Sequence, residues 1–181
     1  MKKKKIIKIG IDLDGVIINK PFFIPKTLIE WLYRARHNHG KKYRFPKSKI
    51  EVWLRKASHY WLLRPPMKKN LQAIREMAKK KNIQIYIISG RYNFLKEKTK
   101  QWSKKHKING LFKNIFLNTK NQQPHLFKEK MAKKLGLGYY FDDDPITVNY
   151  LKKKIKKTKI LLIRKDGELF EKLSLWGDHK Q

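Results

Sequence analysis

The sequence predicts an α/β fold in which helices flank both faces of a central parallel sheet. Short runs of branched apolar residues, typical of buried parallel strands, alternate with helical periodicity from Met67 onwards. Helices of this length between strands imply right-handed crossovers, which make neighbouring strands parallel. The 181 residues are enough for one domain with a small additional unit.

Five short strands and four intervening helices follow from this pattern. The strands are expected at Ile6–Asp12, Ile83–Ile88, Ile115–Leu117, Tyr139–Phe141 and Ile160–Ile163. The helices are expected near Leu71–Ala78, Phe94–His106, Leu126–Leu135 and Pro145–Lys153. Asp144 suits the N-cap of the last helix, and Pro145 suits its first turn.

The segment 18–65 is predicted to be a helical insertion after the first strand. One amphipathic stretch runs from about Thr27 to His37, and a second helix begins at Ser48, whose capping partner is Glu51. The apolar face of the second helix is predicted to be Ile50, Trp53, Leu54, Ala57 and Trp61. Residues 1–17 and 66–170 then form the core domain, and 171–181 form a tail.

The composition is strongly basic, with 46 Lys and Arg against 14 Asp and Glu and a net charge of +32. Such a charge attracts polyanions, although abundant Lys, Ile and Asn also reflect a codon bias towards AT-rich DNA. The chain has no cysteine, which excludes disulfides and thiolate metal sites. No apolar stretch resembles a signal peptide or a membrane span, so we expect a cytoplasmic protein that does not contact a membrane.

Two carboxylates, Asp12 and Asp14, end the first strand and precede Gly15. On an extended backbone both side chains point to the same side, and their mutual repulsion makes burial costly without a cation or a reacting group. The structural alternative is a turn, because Asp and Gly commonly follow a strand.

Parallel sheets bind ligands beyond the carboxyl ends of their strands, which favours a site over a turn. Asp12, Asp14, Ser89, Asp142 and Asp143 all follow predicted strands and should converge on this edge. Four carboxylates in one place require a divalent cation, and oxygen ligands favour Mg²⁺.

These segments resemble the four motifs of the haloacid dehalogenase (HAD) superfamily, in order and over nearly the whole chain. The motifs are Asp12-Leu13-Asp14-Gly15-Val16, Ser89 after an apolar strand, a lysine on a later helix, and Phe141-Asp142-Asp143-Asp144-Pro145. The forms Ile-Ile-Ser-Gly-Arg and Asp-Asp-x-Pro are most similar to small phosphatases of the 5′(3′)-deoxyribonucleotidase type. The resemblance implies a Rossmann-like core and a helical cap, the insertion 18–65.

The resemblance also implies a role for each motif position. Asp12 would be the nucleophile that forms an aspartyl-phosphate, ionised at pH 7 because an unperturbed Asp has a pKa of about 3.9 and a metal lowers it further. Asp14 would be the general acid and base, with its backbone carbonyl on the metal. Its acid role requires a proton, which the crowd of neighbouring carboxylates is expected to favour.

The remaining motif positions would bind phosphate and metal. Ser89 and Gly90 would contact a phosphoryl oxygen. Asp143 would complete the Mg²⁺ site formed with Asp12 and Asp14, and Asp142 would be either a further ligand or a neighbour that supports the ligands; the run of three aspartates leaves both assignments open. Lys128 is our choice for the motif lysine, and Lys120 and Lys130 are its rivals.

Aromatic and cationic residues in the insertion and its flanks could contact substrate, or could simply pack the insertion against the core. They are Phe22, Phe23, Trp31, Tyr33, Trp53, Tyr60 and Trp61, with Arg34, Arg36 and Arg55. Arg91 follows the motif serine and is read either as a substrate contact or as a solvated side chain. The six histidines show no metal-ligand spacing and are predicted to be structural or exposed.

The sequence therefore predicts a Mg²⁺-dependent phosphatase, nucleotidase-like, acting on a small phosphorylated metabolite such as a nucleoside monophosphate. The alternative is a basic nucleic-acid-binding protein, or a nucleic-acid end phosphatase, on the same fold.

Overall fold

A computed structural model describes residues 6–21 and 43–174, and within them five parallel strands form one sheet. The strands are β1 (Ile7–Ile11), β2 (Ile83–Tyr92), β3 (Asn114–Asn118), β4 (Tyr139–Asp142) and β5 (Lys159–Leu162). Their order is β3-β2-β1-β4-β5, and every neighbouring pair is parallel. The predicted fold class is confirmed, and β1 occupies the centre of the sheet.

Six helices accompany the described strands. They are α1 (Lys49–Ser58), α2 (Lys68–Ala78), α3 (Lys96–Lys105), α4 (Pro124–Leu135), α5 (Pro145–Lys154) and α6 (Glu168–Ser174). Within the described ranges, none of these helices has the length and hydropathy needed to cross a bilayer.

The helices cover the two faces of the sheet with separate apolar clusters. On one face Ile9 and Ile11 pack with α2, with Trp102 of α3 and with Leu169 of α6. On the other face Ile88 and Tyr140 pack with α4 and α5. Burial of these clusters supplies the apolar driving force that holds the strand ends in place.

Three elements differ from the sequence-based expectation. Strand β2 continues through Ser89 to Tyr92, with an irregular register against β3, so Ser89 lies within the strand rather than after it. Helix α6 occupies part of the predicted tail. Residues 27–37, predicted as the first helix of the insertion, lie outside the described residues.

Helix α1 begins where the capping box predicts, because the side chain of Ser48 accepts a hydrogen bond from the Glu51 amide. Its predicted apolar face is nevertheless exposed, with Ile50 72% and Trp53 65% accessible. The buried residue of α1 is Arg55, which pairs with Glu51 at 2.7 Å. The polar face therefore packs inwards, opposite to the prediction.

Phe45 and Tyr43 are among the residues that attach the described part of the insertion to the core. The ring of Phe45 lies edge-on to Tyr92, with centroids 5.1 Å apart. The hydroxyl of Tyr43 donates a hydrogen bond to Asp144 at 3.0 Å. These contacts place the insertion beside the carboxyl edge of the sheet.

Candidate active site

Three carboxylates meet at the carboxyl edge of the two central strands. Asp12 directly follows β1, Asp142 ends the neighbouring strand β4, and Asp143 comes next. One oxygen from each of the three lies within 4.8 Å of the others, a spacing at which they could hold a cation. Carboxylate oxygens alone suit a hard ion such as Mg²⁺.

Lys128 forms ion pairs with two of these carboxylates. Its Nζ lies 3.0 Å from Asp12 Oδ2 and 2.8 Å from Asp142 Oδ2, and all three side chains are buried. The rivals Lys120 and Lys130 are both exposed. Lys128 projects from the first turns of α4, whose start is fixed by Pro124, so the structure places this lysine and not its rivals at the predicted position.

Burial and neighbouring charges shift the pKa values of Asp12 and Asp143. Burial raises the pKa of Asp12 well above its usual value, Lys128 opposes this rise, and Asp142 and Asp143 add to it. Burial also raises the pKa of Asp143 to about 6, against the lowering effect of Lys20. The expectation that Asp12 is an ordinary ionised carboxylate therefore depends on positive charge at the cluster beyond that of Lys128.

Gly15 brings the first motif into contact with Asp143. It has a φ of +71°, a conformation that favours glycine, and a Cβ at this position would overlap the Asp143 carboxylate. The other side of Asp143 faces Lys20, whose Nζ lies 2.7 Å from Oδ2. Glycine at position 15 is thus required by the close approach of the two segments.

The prediction that neighbouring carboxylates keep Asp14 protonated is wrong. Arg91 donates to Asp14 through Nε and Nη2, at 2.7 Å each, and Arg64 donates through Nη1 at 2.9 Å. Burial alone would raise the pKa of Asp14, but Arg91 and then Arg64 hold it well below its usual range. The side chain points towards these arginines and is not part of the cluster of three carboxylates.

Both arginines are themselves held by the core and the insertion. Arg91 Nη1 donates to Thr99 Oγ1 at 2.9 Å, and the Arg91 side chain is buried rather than solvated. The Arg64 backbone carbonyl accepts a hydrogen bond from Trp102 Nε1 at 2.6 Å. Hydrogen bonds from Arg91, at the end of β2, and from Arg64, at the C-terminal end of the insertion, therefore hold Asp14 in place.

His59 packs behind this group of residues. Its Nδ1 lies 2.7 Å from the Arg55 carbonyl, which can only accept, so Nδ1 carries the proton and Nε2 faces Arg64 at 3.4 Å. Burial, followed by Arg64 and Arg91, lowers the pKa of His59 well below its usual value. The prediction of a structural histidine fits this buried, neutral ring.

The predicted phosphate-binding pair lies near the end of β2, the strand next to β1. Ser89 is buried, and its Oγ accepts a hydrogen bond from the Arg91 amide at 3.3 Å. Gly90 lies against α4, where a Cβ would stand 2.7 Å from a Pro124 side-chain carbon. The absence of a side chain at position 90 therefore lets the start of α4, and with it Lys128, approach β2.

Sequence reasoning missed Arg64 and Lys20. Lys20 is one of many lysines, and nothing in its neighbours singles it out. Arg64 directly precedes Pro65-Pro66, the junction where the insertion returns to the core, and that position was the available signal. Of the insertion aromatics, Trp53 and Tyr60 are exposed and Trp61 is half-buried, while Phe22, Phe23, Trp31, Tyr33, Arg34 and Arg36 lie outside the described ranges.

Comparison with known proteins gives structural likeness without sequence likeness. No protein-family model and no curated protein sequence matches the chain. A HAD-family enzyme from Bacteroides thetaiotaomicron, solved with magnesium and inorganic phosphate, matches with a TM-score of 0.60 at 14% identity, over 93% of this chain and 98% of that one. A haloacid dehalogenase-like hydrolase from Streptococcus pneumoniae gives 0.57 at 13% identity, over 92% and 90%.

Two further structures are similar. The HAD domain of the effector Lem4 from Legionella pneumophila matches with a TM-score of 0.52 at 13% identity, over 96% of this chain and 93% of that one. A chain of the Pnkp1/Rnl/Hen1 RNA repair complex gives 0.50 at 13% identity, over 90% of this chain and 44% of its own length. The chain therefore has the fold of the HAD-superfamily hydrolases.

Proposed function

We propose that this protein is a Mg²⁺-dependent phosphomonoesterase of the HAD superfamily that works through a phosphorylated Asp12. The observation that carries the proposal is the buried Lys128, which forms ion pairs with both Asp12 and Asp142. The proposed nucleophile thus lies next to a cation and belongs to a group of three carboxylates, with Asp142 and Asp143, that could hold a metal. The fold and the motif order agree with it.

Asp12 attacks phosphorus, the bond from phosphorus to the leaving oxygen breaks, and an aspartyl-phosphate forms. Lys128, whose Nζ lies 3.0 Å from Asp12 Oδ2, and the buried Ser89 would hold the phosphoryl oxygens. Asp12, either Asp142 or Asp143, and the backbone carbonyl of Asp14 would hold Mg²⁺. The ion would neutralise negative charge on the transferring phosphoryl group. Water then attacks phosphorus and releases phosphate from Asp12.

Asp14 gives a proton to the leaving oxygen and takes one from the attacking water. Arg91 and Arg64 hold its carboxylate in one orientation, which suits the base role in the second half of the reaction. Because Arg91 and Arg64 keep Asp14 ionised in the substrate-free protein, its acid role in the first half requires Asp14 first to take up a proton from water as substrate binds.

The substrate class we propose is a small phosphorylated metabolite, with nucleoside monophosphates first. The similarity of the second and fourth motifs to nucleotidases supports this class. The magnesium and phosphate in the Bacteroides thetaiotaomicron enzyme support the phosphoryl chemistry.

Phosphate release from a panel of phosphorylated metabolites, with Mg²⁺ or with a chelator, tests this function. Turnover that requires Mg²⁺ and disappears in Asp12→Asn is expected. Glu129→Gln is the matched control, because it also removes one carboxylate and this one pairs with Lys133 away from the cluster. No turnover on the whole panel, or unchanged turnover in Asp12→Asn, would reject the proposal.

A second candidate is a phosphatase that acts on nucleic-acid ends. The net charge of +32 favours it, and the RNA repair chain is among the proteins of similar fold. Oligonucleotides with a 5′- or 3′-phosphate belong in the same panel, and a preference for them over mononucleotides would establish it.

A further inference from the structure

A groove at the amino edge of the sheet lies opposite the candidate active site. Its floor is the start of β1, β4 and β5 together with the segments that follow α4 and α5. Six lysines line it, and we call it the lysine groove: Lys8, Lys133, Lys154, Lys156, Lys157 and Lys159. Among the described residues that line the groove, none carries a carboxylate.

Some of these lysines have a structural explanation. Lys8 Nζ donates to the Leu135 carbonyl at 3.0 Å, and Lys133 pairs with Glu129 at 2.5 Å. Lys154 lies in the last turn of α5, where a cation stabilises the helix C-terminus.

The other three lysines, Lys156, Lys157 and Lys159, are exposed and lie beyond the helix. The described part of the chain offers no ion-pair partner to any of the three. Their charges are therefore directed at solvent in a concave surface, and repulsion among them is uncompensated.

We propose that the lysine groove binds the phosphodiester backbone of nucleic acid. A concave strip of ammonium groups is complementary to a linear polyanion, which can enter it. A flat anionic surface would not reach the floor of the lysine groove. Lysine binds phosphate as a point charge, and contacts to phosphate carry no sequence information, so the binding is expected to be independent of sequence. Ile6 lines the groove, and in the sequence it directly follows Lys2-Lys3-Lys4-Lys5.

This binding goes beyond the proposed phosphatase function and does not depend on it. Lys8 and Asp12 lie at opposite ends of β1, four residues or about 13 Å apart along the strand. A nucleic acid held in the groove therefore leaves the carboxylate cluster accessible. The groove would attach the enzyme to nucleic acid while its active site turns over a separate small substrate.

The experiment measures anisotropy of a short fluorescein-labelled oligodeoxythymidylate across a KCl series. The groove variant Lys156→Gln/Lys157→Gln/Lys159→Gln is compared with Lys80→Gln/Lys81→Gln/Lys113→Gln, which removes the same charge from exposed lysines outside the groove. Log K falls as log salt rises, so the slope is negative. The groove variant is expected to make this slope shallower by about 2, at about 0.7 per lysine, whereas the control should change it little. A single Lys157→Gln variant, expected to make the slope shallower by about 0.7, covers the case in which the triple variant fails to fold.

Several outcomes would overturn the proposal. Equal weakening in both triple variants would mean that binding follows net charge alone. Groove-dependent binding to phosphatidylserine vesicles without binding to the oligonucleotide would assign the groove to a membrane. Competitive inhibition of phosphate release by the oligonucleotide would mean that the oligonucleotide binds in the active site.

The Asp12→Asn variant is expected to retain oligonucleotide binding, whether or not that variant has lost turnover.

Discussion

Arg91 donates two hydrogen bonds, each 2.7 Å long, to the carboxylate of Asp14. The pair links the segment after β1 to the end of β2, and Arg64 adds a third hydrogen bond from the insertion. The residue proposed as acid and base is therefore held by side chains from both the core and the insertion. This arrangement makes the geometry of Asp14 sensitive to both arginines.

Arg91→Lys is expected to lower kcat about 10- to 100-fold with little change in KM. Lysine keeps the charge but loses the bidentate grip, so Asp14 is less well oriented for proton transfer. Steady-state kinetics on an alkyl phosphate and an aryl phosphate check this, and kcat should fall for both, because hydrolysis of the aspartyl-phosphate follows the departure of either leaving group.

Arg75→Lys is the control for this change, because Arg75 is exposed on α2. A loss that appears only in KM, or that is confined to one leaving group, contradicts the orienting role of Arg91.

Lys128→Met is expected to abolish most activity and to destabilise the metal-free protein by about 3–5 kcal/mol. The change leaves the carboxylates of Asp12 and Asp142 buried without their shared cation. Urea unfolding with and without Mg²⁺ measures the effect, and Mg²⁺ should restore part of the loss because it supplies positive charge at the same carboxylates.

Lys130→Met is the matched control, on the same helix and exposed. If Lys130→Met were as damaging as Lys128→Met, the assignment of the motif lysine would be wrong.

Gly15→Ala and Gly136→Ala separate backbone strain from crowding at the cluster. Both glycines have positive φ, +71° and +61°, but a Cβ at Gly136 meets open space while one at Gly15 overlaps Asp143. Both variants should lose about 1 kcal/mol or more of stability from strain. Only Gly15→Ala should also weaken Mg²⁺ binding, measured by calorimetry, and equal affinities in the two variants would contradict the close contact.

Mg²⁺ affinity is expected to fall as the pH drops below about 6. The pKa of Asp143 is raised to about 6, so below that pH a bound metal must displace a proton from its carboxyl group. Asp12, whose pKa is also raised, acts in the same direction. Above these pKa values both groups are ionised and no proton competes.

Calorimetry at pH 5 and pH 7.5, in buffers of different ionisation enthalpy, measures both the affinity and the protons released. Weaker binding with proton release at the lower pH is the expected result. Constant affinity over this range would contradict the raised pKa values.

The sequence was sufficient to predict the sheet and the edge at which the site forms. Strand period, helix caps and the rule for parallel sheets depend on short stretches of chain, so the amino-acid pattern alone could bring Asp12, Ser89 and Asp142 together. The choice of Lys128 rested on its place at the start of the helix that precedes β4.

The partners of Asp14 could not be predicted in the same way. Arg64 and Arg91 are 50 and 77 residues away from it, and only tertiary packing decides which charged groups meet. The predicted inward face of α1 was wrong for a related reason. Its hydrophobic period indicated Ile50 and Trp53, whereas the fold buries Arg55 through its ion pair with Glu51.

The most direct test of the account is to trap the intermediate. The protein is mixed with Mg²⁺ and a turned-over phosphomonoester, quenched in acid during the steady state, reduced with borohydride and analysed by peptide mass spectrometry. The account predicts that the peptide containing Asp12 carries the acyl-phosphate, detected as homoserine at position 12, and that omission of substrate removes the signal. Turnover without modification of Asp12, or with the phosphoryl group on another residue, would contradict it.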